Sequence, residues 1–337
     1  MITVVTGANG HVGANLIRAL LAQGRTVRAL VHTNRQAIES LNMDMVRGDV
    51  CDLPSLCEAF KDAEVVYHLA AHISLSMDEW PVCESINVTG TRNVVEACLH
   101  CGVRRLVHFS SIHAFEQEPL HILLDESRPL VELRHGPPYD RSKAAGEKEV
   151  GKGIERGLDA IIINPTAIIG PYDCGPSYLG EALLDIAHGK LPALVAGGFD
   201  WVDVRDVVEG AVRAEEQAPT GAKYLLSGHW ASVPDLAAIV EEITGVPAPR
   251  LVLPVWLARI GAPFTAIFAQ LTGKRPLYTS ASIRALCSNR NVSHERATQY
   301  LGYHPRPLRE TVVDTFRWFE ENGYLDRPVI PQSTERL

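Results

Sequence analysis

Residues 3–13, TVVTGANGHVG, limit the folds open to this chain more than any other stretch. Ile2 to Val5 is a short apolar, mostly β-branched run, Thr6 to Asn9 is turn material, and Val12, Leu16, Ile17, Leu20 and Leu21 recur at helical spacing. The order is therefore strand, turn, helix. Gly7 permits the tight bend, Gly10 brings backbone close to a phosphate, and Gly13 lets the helix pack against the strand. A helix opening there offers unpaired N–H groups and a partial positive charge to an anion. A second strand at 26–31 completes the context in which such a turn, with Asn9, His11 and Val12, holds a dinucleotide pyrophosphate.

The first half goes on alternating. Strands are expected at 2–6, 26–31, 43–47, 64–68, 104–110 and 159–163, and helices at 11–23, 34–41, 53–60, 84–101 and 139–156. This is the pattern of an α/β protein with a Rossmann-type, doubly wound parallel sheet covered on both faces. Residues 1–165 form the dinucleotide-binding domain, with strands from about 193–228 returning to its sheet. Past 165, Gly and Pro thicken and helices predominate (177–189, 205–217, 233–244, 280–286, 294–301 and 308–322). Residues 166–327 read as a smaller, mainly helical C-terminal substrate lobe interleaved with the first, and 328–337 as a polar tail.

Composition narrows the partners. The chain has 337 residues, 46% hydrophobic and 21% charged, with a net charge of −8 and no basic stripe, so nucleic acid is excluded as a partner. No apolar run is long enough for a membrane span, and the chain enters a strand without a signal core, so a cytoplasmic protein is expected. The seven cysteines are odd in number and scattered, as in a reducing compartment. Cys98 and Cys101 form a lone CxxC on the apolar face of a helix and read as packing; no metal site is expected.

The chemistry lies downstream of the glycine turn. Tyr139 and Lys143, four apart behind Pro137–Pro138, project from one helix face. A phenol is a poor acid or base near neutrality, and an adjacent cation is expected to lower its pKa and make it a proton relay. Ser110 and Ser111 end the run Leu106–Phe109, at the carboxyl edge of a central strand, where a hydroxyl can orient a substrate carbonyl.

These pieces resemble the extended branch of the short-chain dehydrogenase/reductase superfamily, the NAD-dependent epimerases, dehydratases and reductases. The resemblance covers nearly the whole chain. It is carried by TGANGHVG (6–13), GDVCD (48–52), HLAA (68–71), NVTGT (87–91), FSS (109–111), YDRSK (139–143), NPTAIIGP (164–171), WVDVRDV (201–207) and LGYHPR (301–306). It implies Ser111, Tyr139 and Lys143 as the catalytic trio, with Ser110 as the alternative serine. It also implies Asp49 and Val50 against adenine, Leu69, Ala70 and Ala71 along the cofactor cleft, and Asn87 on the nicotinamide side. Lys143 would hold the ribose, and Pro165 and Ile168 would flank the ring. Family members usually pair through the helices matching 84–101 and 139–156, which implies a homodimer.

Cofactor choice rests on His32, Thr33, Asn34 and Arg35. NAD sites place an acid there and NADP sites a basic residue; no acid is present, so His32 and Arg35 favour NADP over NAD. Within the branch, Ile112 and His113 replace the Asp–Glu pair of dehydratases. SNRNVSH at 288–294 lacks the Arg-rich grip of sugar-nucleotide epimerases, and Phe115–Glu116 replaces a frequent Tyr–Gly. What remains is most similar to dihydroflavonol reductases and 3β-hydroxysteroid dehydrogenases. The implied reaction moves the 4-pro-S hydride between NAD(P)H and a ketone or secondary alcohol of a small, apolar or polyphenol- or steroid-like molecule. A nucleotide-sugar epimerase using bound NAD and the same trio is the alternative. His113, Phe115, Tyr172, Tyr178 and Leu179 are expected in the substrate wall. His72 is a further candidate, and Asp203 with Arg205 is expected to brace the lobes as an ion pair.

Overall fold

The computed structural model describes residues 2–132, 136–261, 279–325 and 329. Strands β1 (Ile2–Thr6), β2 (Thr26–Val31), β3 (Asp44–Arg47), β4 (Ala63–His68), β5 (Arg105–Phe109), β6 (Ala160–Pro165) and β10 (Lys223–Leu226) form one seven-stranded sheet. Its order is β10-β6-β5-β4-β1-β2-β3, with every pairing parallel. The winding reverses between β1 and β4. That reversal opens a crevice at the strands' carboxyl ends.

Both faces are covered. Helices α1 (His11–Ala22) and α7 (Val204–Gln217) pack on one, burying Leu16, Ile17, Leu20, Val207 and Ala211 against Val5, Tyr67 and Ile161. Helices α2 (Leu53–Ala59), α4 (Gly90–Cys101) and α5 (Pro138–Glu155) cover the other, where Leu56, Val94, Cys98 and Val150 meet Val4, Val66 and Leu106. Fully burying one such aliphatic side chain contributes about 1.5–3 kcal/mol. Cys98 is therefore a core residue, and Cys101 donates to the Cys57 carbonyl. Burial pushes the Cys98 thiol up, as expected of a packing cysteine.

Three expectations need correction. Residues 34–41 form successive turns, Ile38 N–H to the Arg35 carbonyl and Leu41 N–H to the Ile38 carbonyl, because Asn9 Oδ1 captures the Ala37 N–H and draws Ala37 and Ile38 into the core. The helix expected from 84 begins earlier, at α3 (Trp80–Cys83), and widens to a π-helical stretch over Glu84–Thr89 before α4. From 193–228 the expected return to the main sheet is made by β10 alone among the described strands; β8 (Leu194–Val195) lies outside it, and so does β9 (Gly198–Asp203), a strand the sequence did not predict. β9 instead pairs with β7 (Ala167–Ile169) and β11 (His229–Ser232), and β8 with β12 (Val252–Leu253).

The second lobe gathers α6 (Tyr178–Ala187), α8 (Val233–Thr244) and the helix Leu308–Glu321 around Leu183, Trp201, Leu236, Val312, Phe316 and Phe319. Asp203 is buried and caps α7 through the Arg205 N–H, while Arg205 bridges Asp203 at 2.7 Å and Asp314 at 2.8 Å. That bridge ties β9 to the last described helix. The two lobes also meet at Pro171, whose carbonyl accepts from Asn15 Nδ2 and lies 3.0 Å from His11 Nε2. The expected tail at 328–337 lies, apart from Val329, outside the described residues.

Candidate active site

The crevice continues into a cavity of about 1240 Å³ that runs from the glycine turn into the second lobe. Gly7, Gly10, His11, Val12, Gly13, Leu69, Ala71, Pro165 and Ile168 line it, together with Ser110, Ser111, Tyr139 and Lys143. The turn cannot accept larger residues at two points. Gly7 has φ +66°, and a Cβ there would stand 2.6 Å from the Ala70 nitrogen; one on Gly13 would stand 2.3 Å from the Gly7 carbonyl oxygen. At Gly10 the nearest heavy atom would be 3.3 Å away, so what a side chain would enter there is chiefly the cavity. No side chain caps α1, which leaves its first-turn N–H groups to a ligand. This turn fits a dinucleotide pyrophosphate.

At the other end of the crevice, Pro137 and Pro138 start α5 and put Tyr139 and Lys143 on its cavity side. Ser111 follows β5 and caps a short 3₁₀ turn (Ile112–Ala114), its Oγ accepting the His113 N–H at 3.2 Å. The same hydroxyl acts on the Tyr139 phenol, favouring its ionised form. Lys143 Nζ donates to the Phe109 carbonyl at 2.9 Å and lies 5.9 Å from the centre of the Tyr139 ring. The three side chains thus converge from separate stretches.

Their electrostatics differ from the sequence expectation. Burial drives the Tyr139 phenol up, and the Ser111 hydroxyl only partly opposes it; Lys143 is not among the groups that lower it. Burial also brings Lys143 down to about 8, against a smaller upward pull from Glu147. Behind them, His68 is held at about 3 by burial and by the Lys143 charge, and it links Thr6 Oγ1 at 2.8 Å to Thr91 Oγ1 at 3.1 Å. That neutral imidazole joins the end of β1 to α4.

Several candidates take supporting positions away from the cavity. Asn87 Oδ1 accepts the His72 N–H, and its amide donates to the His72 carbonyl and to Ser142 Oγ, so it shapes the loop after β4. His72 faces Glu79 at 3.0 Å. Asn9 holds Ala37, Ala70 N–H donates to Thr6 Oγ1, and Val50 is buried against Gly90. His32 and Arg35 are exposed at the end of β2, with His32 Nε2 3.7 Å from Asp49 Oδ2.

Tyr178, Leu179 and His113 line the cavity, but two residues of the expected substrate wall do not. Phe115 is fully buried among Ile112, Leu124 and Leu225, because the loop after it folds back and Glu126 accepts the Leu225 N–H. Tyr172, with φ +64°, turns outward beneath Arg18 and beside Trp318. Sequence reading missed Asn164, whose amide joins the Ser111 carbonyl to the buried Glu147, itself paired with Lys223. It also missed Asp140, which stands 3.6 Å from His113 Nδ1. The Tyr139–Asp140 adjacency carried no signal of that partner.

Residues 3–226 match the NAD dependent epimerase/dehydratase family, most of the sheet and all of the trio included. The chain belongs to that family. Among relatives, it is 37% identical to sterol demethylase protein B of Methylococcus capsulatus, over 96% of this chain and all of that one. It is 32% identical to a putative dihydroflavonol 4-reductase of Synechocystis, over 95% of each. The solved structure of gox2253 superposes with a TM-score of 0.84 at 34% identity, over 96% of this chain and 99% of that one. Family relatives named as dehydrogenases, reductases and epimerases make this chain an oxidoreductase enzyme. Among the described residues no helix is long and apolar enough to cross a membrane, and no group of His, Cys, Asp or Glu is placed to hold a metal ion.

Proposed function

We propose that this family member interconverts a ketone and a secondary alcohol on an apolar, ring-containing substrate, drawing on NADPH in preference to NADH. The observation that carries this reading is the convergence of Ser111, Tyr139 and Lys143 on one cavity, whose wall continues through Leu75, Leu120, Leu183, Phe199 and Leu236. A nicotinamide bound in the crevice would supply the hydride. Ser111 holds the substrate oxygen, and Tyr139, its phenol kept protonated by burial, donates the proton to that oxygen. Lys143, still largely charged at neutral pH, fixes the end of β5 through Phe109 and would hold the cofactor ribose. In the oxidative direction Tyr139 takes the proton back.

The apolar wall supports a reductase over a nucleotide-sugar epimerase, whose substrate pyrophosphate calls for several cationic partners. Among the described cavity-lining residues of the second lobe only Arg259 and Arg284 are cationic. The relatives named sterol demethylase protein B and putative dihydroflavonol 4-reductase point the same way. NADP rests on the exposed His32 and Arg35. The proposal includes a cytoplasmic homodimer joined through α4 and α5, whose outer faces carry the Arg92–Glu149 and Arg156–Glu96 pairs.

The test is a panel of ketones, secondary alcohols and nucleotide sugars followed at 340 nm with both cofactors. Tyr139→Phe should bind cofactor normally and lose about 10²-fold or more in turnover. Near-normal turnover in that variant removes the mechanism.

A further inference from the structure

His113 and Asp140 form a pair in the cavity that the hydride transfer above does not use. The His113 N–H is spent on Ser111 Oγ, which keys the residue to the catalytic hydroxyl. Its ring stands edge-on to Tyr139, with centres 6.2 Å apart and planes at 64°. Nδ1 faces Asp140 Oδ1 at 3.6 Å, and both residues line the cavity. Nε2 makes no hydrogen bond among the described residues. Asp140 is largely buried on the first turn of α5, where His113, Arg284 and Glu116 act on its charge. A buried carboxylate beside one ring nitrogen fixes the ring's orientation and leaves the other nitrogen for a ligand.

We infer that His113, oriented by Asp140, hydrogen-bonds a second substrate oxygen carried one or two carbons from the reacting carbonyl. The preferred substrate class is then an oxygenated ketone or its alcohol, such as a ketol or a keto acid, rather than an isolated ketone. Asp140 is a positioning residue. The inference rests on the ketone-reductase reading, and its test separates the two.

The probes are 4-chromanone and 3-hydroxychroman-4-one, rigid ketones that differ by one neighbouring hydroxyl, assayed with NADPH and NADH at 340 nm. Wild type should favour the hydroxylated ketone by at least about tenfold in kcat/KM, expressed mainly in KM, as expected for one hydrogen bond in a desolvated site. His113→Leu should bring that ratio below about threefold, and His113→Asn, which keeps a donor, should restore part of it. Asp140→Asn should lower the ratio by raising KM for the hydroxylated ketone alone. Equal use of the two ketones by wild type, or an unchanged ratio in both His113→Leu and Asp140→Asn, overturns the assignment of His113 and leaves the reductase reading standing. Absence of turnover with either ketone overturns the reductase reading for ring-sized substrates.

Discussion

The Lys143 ammonium lies 5.9 Å from the centre of the Tyr139 ring, yet it is burial that sets the proton affinity of both groups. In the protein alone the pair is a protonated phenol beside a weakened ammonium.

The Lys143 shift makes stability depend on pH. Its native value of about 8 lies below the 10.5 of an unfolded lysine, so between those values the unfolded chain binds a proton that the native protein lacks. Stability from this group therefore rises with pH across that window and is lowest below pH 8, by a total of about 3 kcal/mol. Urea denaturation of wild type and Lys143→Met at several pH values should show wild type gaining roughly that amount on the variant between neutrality and pH 10.5. A constant difference would sink the claim.

The glycine turn gives two distinguishable variants. Gly13→Ala forces a Cβ to 2.3 Å from the Gly7 oxygen and should lower the melting temperature. Gly10→Ala meets its nearest protein atom at 3.3 Å, so it should keep a near-normal melting temperature while weakening cofactor binding at least about tenfold, as seen by calorimetry.

Cofactor preference should turn on Arg35. Arg35→Glu places an acid where none stands in the 32–36 loop. The NADPH to NADH ratio of kcat/KM should fall by about 10- to 100-fold, the range for losing a charge-assisted hydrogen bond. An unchanged ratio would place the 2′-phosphate elsewhere.

Phe115 and Tyr178 should separate cleanly. Phe115→Ala empties a fully buried site and should cost about 3–5 kcal/mol of stability without altering preference among ketones. Tyr178→Ala, at the cavity wall, should alter substrate KM with little loss of stability. Thermal melts paired with steady-state kinetics on each variant decide this.

Much of the main sheet was legible because strands such as Ile2–Thr6 are continuous apolar runs followed by a helix with a 3.6-residue stripe, here His11–Ala22. That Ser111, Tyr139 and Lys143 would meet at one cavity was legible because these residues sit at a strand end and a helix start. What stayed hidden depends on tertiary contact. Ala167–Ile169 and His229–Ser232 are too short to show a period, and they become strands only by pairing with Gly198–Asp203. Residues 34–41 carry a helical pattern that Asn9 overrides. Phe115 follows Ser111 closely enough to read as substrate wall, but the return of the 116–132 loop seals it into a separate core. Depth of burial, which governs the Tyr139 phenol, cannot be read from spacing.

The Pro171 carbonyl, shared by His11 and Asn15, fastens the glycine-turn end of α1 to the chain just before it enters the second lobe. A nucleotide that orders the first turn of α1 thereby steadies one shore of the substrate chamber as well. Occupancy of the two compartments should therefore be coupled, with nucleotide entering first.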